Sequence, residues 1–219
     1  LMAGGAPLQI TRDDADHEQP RWAPDSSVLI FYTPSATPGE HGTLWEISAL
    51  GGSPRPIGPA LGGGDISHDG RRIAVVRFEG GAPQLVIATR DGTPITTVRA
   101  VPTAMTCQFP RWSPDDRLIA INIAVTIYFD QRLVVVPVEG GDAVEVVRGG
   151  MLRGLAWLPD GTGLVYSSSE GSTMLYPPTF NLRRVGVDGG DARAITYGDA
   201  SFVELDVHAS GKLVVCRVR

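Results

Sequence analysis

Five stretches of this chain carry side chains that could hold a divalent cation, and each stands just ahead of a recurring turn signature. They are Asp13-Asp14-Ala15-Asp16-His17-Glu18-Gln19, Gly62-Gly63-Gly64-Asp65, Cys107-Gln108, Leu152-Arg153 and Glu204. Carboxylates and an amide oxygen suit calcium or magnesium. A histidine among them suits zinc or manganese. A cation held by His17, Glu18, Asp65, Gln108 and Glu204 could polarise a phosphoryl or carbonyl oxygen and activate water. That is the chemistry of a phosphoester, phosphotriester or lactone hydrolase. The cofactor is then calcium, zinc or manganese. The spacing matches no recognised ligand motif, and the alternative is a solvated acidic loop paired with Arg153, with no cofactor.

These residues could meet only if the fold repeats. The phrase after each of them recurs five times: Pro20-Arg21-Trp22-Ala23-Pro24-Asp25, Asp65-Ile66-Ser67-His68-Asp69-Gly70, Pro110-Arg111-Trp112-Ser113-Pro114-Asp115, Leu155-Ala156-Trp157-Leu158-Pro159-Asp160-Gly161 and Asp206-Val207-His208-Ala209-Ser210-Gly211. The turn residues Asp25, Asp69, Asp115, Asp160 and Ser210 are 44, 46, 45 and 50 residues apart. A period near 45 residues marks a repeat architecture. In the third copy the β-rich runs predict strand A over Gln108–Trp112, B over Leu118–Val125, C over Leu133–Val138 and D over Ala143–Val147, with Gly140-Gly141 turning the chain between C and D. Four-stranded units of this length are the blades of a β-propeller. The fold class is therefore all-β, with four whole antiparallel blades and a split fifth. The fifth has strands A and B at the C-terminus and a strand D supplied by Gly4–Thr11, which matches the Gly189–Thr196 segment of the fourth copy. No linker separates the copies, so residues 1–219 read as one domain, either five-bladed or part of a larger propeller. Its open edges predict a homo-oligomer.

In such a ring strand A is innermost. The D–A and B–C loops gather at one face, here called the top, and the A–B turns at the other. His17, Glu18, Asp65, Gln108, Arg153 and Glu204 are expected at the top mouth. Arg153, His41 in the B–C loop of the first copy, and Tyr176 in the insertion-like loop Ser169–Thr179 are the candidate partner-binding residues. His68 and His208 fall in A–B turns and read as turn residues. Cys107 with His17 imitates a Cys–His pair, against the alternative of a packed thiol. Ser167-Ser168-Ser169 lacks the Gly-x-Ser-x-Gly elbow of serine hydrolases. Gly62-Gly63-Gly64 precedes a strand and so is no phosphate cradle.

At the turn phrases the chain resembles the TolB-type, WD-like propeller repeats, which carry Pro-x-Trp-Ser-Pro-Asp-Gly before an apolar strand. Pro110–Asp115 matches with Asp116 in place of the glycine; Pro20–Asp25 has Ala23 and Trp157–Gly161 has Leu158 in place of the serine. The resemblance covers nearly the whole chain and implies a fragment of a larger propeller. It further implies binding of a protein or peptide partner at the top face or central channel, and a periplasmic or other extracytoplasmic location, with the cytoplasm left open. The motif residues are turn and packing elements, so none carries over as catalytic. A non-catalytic binding module and a metal-dependent hydrolase are the two functions to separate.

Composition narrows the partners. The net charge of −5 over 219 residues argues against a general nucleic-acid binder, which needs surplus Lys and Arg. No apolar run reaches membrane-spanning length. Two cysteines, Cys107 and Cys216, are too few for a disulfide framework.

Overall fold

The computed structural model of the chain describes residues 9–37, 40–98, 106–124, 130–169, 179–208 and 210–218. Among the described residues there are strands and turns but no helix, and hence none long and apolar enough to cross a membrane. The first sheet contains β1 (Glu18–Trp22), β2 (Val28–Thr33), β3 (Gly42–Ser48) and β4 (Arg55–Ala60). The second contains β5 (Asp65–Ile66), β6 (Arg72–Glu79), β7 (Ala82–Thr89) and β8 (Pro94–Val98). The third contains β9 (Thr106–Trp112), β10 (Leu118–Ala124), β11 (Gln131–Pro137) and β12 (Val144–Gly149). The fourth contains β13 (Leu152–Trp157), β14 (Gly163–Ser168), β15 (Asn181–Gly186) and β16 (Arg193–Ala194). A two-stranded sheet of β17 (Ser201–Val207) and β18 (Leu213–Val218) comes last. In each sheet the strands lie in chain order and pair antiparallel. The four-stranded sheets are four propeller blades, and the two-stranded sheet follows them. The strand D expected at Gly4–Thr11 falls mostly on residues 1–8, outside the described residues.

The core lies between blades. Ile30, Tyr32, Leu44 and Ile57 of the first blade pack with Ile66, Ile73, Val75 and Val86 of the second. Val76, Leu85 and Ile87 meet Trp112, Ile119, Ile121 and Ile123 of the third. Ala120, Leu133 and Val135 meet Leu155, Trp157, Leu164 and Tyr166 of the fourth. Val165 and Leu182 meet Leu205 of the last sheet. The inner strands β6, β10 and β14 are buried on both faces because each blade is covered on both sides. The outer strands β8 and β12 are largely exposed.

The A–B turns share one backbone device. The residue after the turn aspartate, or after Ser210 in the last sheet, has positive φ in all five copies: Ser26 (58°), Gly70 (72°), Asp116 (58°), Gly161 (71°) and Gly211 (79°). Glycine adopts this region at little cost, and Ser and Asp at some. Asp116 compensates by reaching the neighbouring blade. Its Oδ1 accepts from His68 N at 2.7 Å and lies 3.2 Å from His68 Nδ1, while its Oδ2 accepts from Asp69 N at 2.9 Å.

Candidate functional site

The second repeated device sits in strand A, three residues before the motif tryptophan. There Gln19 (φ 51°), Phe109 (φ 55°) and Gly154 (φ 77°) adopt the left-handed region, and so does Glu204 (φ 51°), three residues before Val207. At each, the register against strand B slips. Such a bulge bends the strand and re-aims the side chains beyond it. In the second blade Gly63 occupies the position, and its N–H donates to Gln19 Oε1 at 3.0 Å.

The bulge sets the two residues at the end of each strand A. The last of them packs on the preceding blade: Trp112 Nε1 donates to the Asp65 carbonyl at 3.1 Å and Trp157 Nε1 to the Arg111 carbonyl at 2.9 Å. The one before it lines the ring axis, giving Arg21, Asp65, Arg111, Ala156 and Asp206 around the five sheets. They form the floor of a cavity of about 550 Å³. Its walls are the A–B turn residues Pro24, Pro114, Pro159, His68 and His208 together with Trp22, Trp112 and Trp157. The A–B turns therefore stand at one end of it.

The floor is charged and unevenly paired. Arg21 Nε lies 3.4 Å from Asp65 Oδ1 and its Nη1 lies 3.1 Å from Asp206 Oδ2, so one guanidinium ties the first blade to the second and to the last sheet. Burial pulls the Arg21 pKa down, but the two carboxylates outweigh it and the net shift is upward. The other Asp65 oxygen accepts from Trp112 N at 2.9 Å. Arg111 is different. It is 6% exposed, its Nη1 donates to its own Pro110 carbonyl at 2.8 Å, and its Nε has no partner. Burial, and then repulsion from Arg21, push its pKa down to about 10 despite Asp65, Asp206 and Glu204 nearby. A buried cationic fork with a donor to spare, under an aromatic and proline rim, can take an anionic group on an apolar carrier.

The residues expected at the top mouth lie in separate settings. His17 stacks edge-on against Phe31 at 4.6 Å, with Nδ1 3.2 Å from Thr33 Oγ1 and Nε2 2.8 Å from Asp13 Oδ1. Glu18 is exposed, opposite Tyr32 on β2. Gln108 is exposed opposite Asn122. Glu204 is exposed at its bulge. Asp65 stands at the floor, level with Arg21. Three residues along a strand are about 10 Å, so the register sets Asp65 well below Glu18. Among the described residues no three His, Cys, Asp or Glu side chains gather in a way that could hold a metal ion. Arg153 lies 6.0 Å over the Phe180 ring. His41 Nε2 accepts from Phe78 N at 2.8 Å, clasping the first blade to the second. Tyr176 lies outside the described residues. Cys107 is buried in the core with its thiol pushed up to about 11 by burial, so it stays protonated at neutral pH. Sequence reasoning misses Arg21, Arg111 and Asp206 as site residues. The available signal is the repeated Pro-Arg-Trp, which sets Arg21 and Arg111 in register with Asp65 and Asp206.

No family model matches the sequence, and no curated protein is similar to it. Solved structures are similar in fold. A protein assigned as TolB from Agrobacterium tumefaciens superposes with TM-score 0.73 and 22% identity over 94% of this chain and 71% of its own. TolB from Acinetobacter baumannii gives 0.65 and 19% over 87% of this chain, which spans 47% of that protein. Regucalcin, a calcium-binding protein from Agrobacterium tumefaciens, gives 0.63 and 14% over 92% of this chain and 67% of its own. The chain is thus a TolB-like β-propeller in architecture.

Proposed function

We propose that this propeller is a non-catalytic binding module that takes a protein or peptide segment into its central channel through the mouth on the A–B turn side. The observation that carries the reading is the 550 Å³ cavity on the ring axis, walled by three tryptophans and three prolines over a buried arginine. Concave, mostly apolar sites with few polar groups are where ligands bind. Trp22, 54% exposed at the rim, offers the large, stiff apolar surface that binding anchors use. The floor carboxylate Asp65 is engaged by Arg21 and by the Trp112 amide, which suits a structural ion pair better than a metal ligand.

A displayed random-peptide library panned on the immobilised protein tests the proposal. The expected result is a set of peptides that change tryptophan fluorescence and lose binding in Trp22→Ala. Peptides that bind equally well to that variant and to Trp157→Phe would move the site elsewhere. Hydrolysis of phosphoesters or lactones that needs added calcium, zinc or manganese, and is lost in Glu204→Ala, would replace it with the enzyme reading.

A further inference from the structure

The floor of the channel holds a guanidinium whose placement the fold itself does not explain. Arg21 binds two carboxylates. Arg72 stacks on Trp112 at 4.7 Å. Arg77 is also buried, but its Nε donates to the Pro59 carbonyl and its Nη2 to the Gly92 carbonyl, both at 3.0 Å. Arg111, by contrast, bonds only to the carbonyl of its own neighbour and keeps a buried Nε without an acceptor, while the residue itself lines the cavity floor. Burying a guanidinium nitrogen without an acceptor is costly. An arginine in this state is matched by a ligand that brings the acceptor.

We infer that Arg111 anchors a subsite for a carboxylate carried by a peptide. The inference rests on the channel-binding reading above and names the chemistry that the channel selects. A carboxylate brings two coplanar oxygen acceptors to the guanidinium that lines the cavity. Charge favours this anion over phosphate. Asp65 and Asp206 lie at the same level and Glu204 is close enough to act on Arg111, so a dianion meets three carboxylates while a monoanion replaces one missing partner. The walls complete the selection. Trp112 and Trp157 are buried in their blades with edges on the cavity, and Pro24, Pro114 and Pro159 ring the mouth, so the carrier of the carboxylate is apolar. A free C-terminus on an apolar residue and an acidic side chain in an apolar segment share this chemistry.

The test tracks the Arg111 Nε–H resonance and tryptophan fluorescence during titration with four small probes. N-acetyl-leucine has a free carboxylate, N-acetyl-leucinamide lacks it, N-acetyl-glutamic acid α-amide carries it on a side chain, and phenyl phosphate is the competing anion. The expected result is a saturable shift of the Arg111 resonance with a carboxylate probe, about tenfold weaker binding of the amide, and little response to phosphate. Arg111→Met should abolish the carboxylate preference, and Arg111→Lys, which keeps the charge and loses the fork, should lose most of it. Whether N-acetyl-leucine or the glutamate probe binds tighter identifies the source of the carboxylate. Equal binding of acid and amide to the cavity would overturn the carboxylate subsite while leaving peptide binding standing. Absence of any response to all four probes would overturn both. The resonance is read in the unmodified protein, so the test does not depend on a variant folding.

Discussion

Replacing Asp116 with glycine restores the residue that the repeat phrase carries elsewhere, yet it should destabilise this protein. The Asp116 carboxylate is 14% exposed and accepts from two backbone amides of the neighbouring blade, at 2.7 and 2.9 Å. Hydrogen bonds to a charged acceptor contribute about 1.5–3 kcal/mol each. The freed amides of His68 and Asp69 lie in an exposed turn and can bind water, so the lower end applies and the two together are worth about 3 kcal/mol. Against this, Asp116 sits at φ 58°, and glycine relieves about 1 kcal/mol of strain there. Asp116→Gly should therefore cost about 2 kcal/mol, and Asp116→Ala, which loses the bonds and keeps the strain, about 3 kcal/mol. For a chain of this size each kcal/mol moves Tm by about 2–4 °C. The glycine variant should melt about 4–8 °C below wild type and the alanine variant lower still. Thermal unfolding monitored by circular dichroism reads both. A glycine variant as stable as wild type would refute the reasoning, because the turn strain would then outweigh the clasp between blades.

Three further outcomes are expected from the same structure. Arg111→Met removes a buried guanidinium whose Nε lacks an acceptor and should raise stability, read as a higher urea midpoint; a loss would show that the guanidinium supports the fold. Trp157→Phe leaves the buried Arg111 carbonyl without its donor and should cost about 2 kcal/mol, whereas Trp22→Phe, at a half-exposed rim position, should stay within about 0.5 kcal/mol; equal effects in denaturant titrations would contradict the interblade role of the indole. Hydrogen bonds from Ser27 N, Ser67 Oγ, Ser113 Oγ and Thr162 N hold the Asp25, Asp69, Asp115 and Asp160 carboxyls below the usual range, and Thr89 with Thr93 takes Asp91 down to about 2. These groups bind protons more weakly when folded, so their contribution is complete above about pH 4 and is lost as pH falls toward 2. Urea midpoints should drop as pH falls below 4, and Asp91→Asn should blunt the drop.

The blades are legible in the chain because each is a local object. A tight turn, a β-branched run and a Gly-Gly turn specify adjacent antiparallel strands, and in the copy at Gln108–Val147 every strand end read from sequence lies within two residues of the observed one. The Asp116 departure from glycine is legible as a departure, but its partner 48 residues away is not. Level within the ring is not legible either. Glu18, Gln108 and Asp65 all precede turn phrases, yet Asp65 lies immediately before Ile66 while Glu18 and Gln108 lie four residues before their tryptophans, beyond a bulge. Sequence alone determined the repeat, the strand order and the presence of Arg21, Arg111, Asp65 and Asp206 at one motif position. Only the tertiary structure decided which of those charges pair and which is left over. Pairing across the axis depends on how far each bulge turns its strand, and that is set by the packing of one blade on the next.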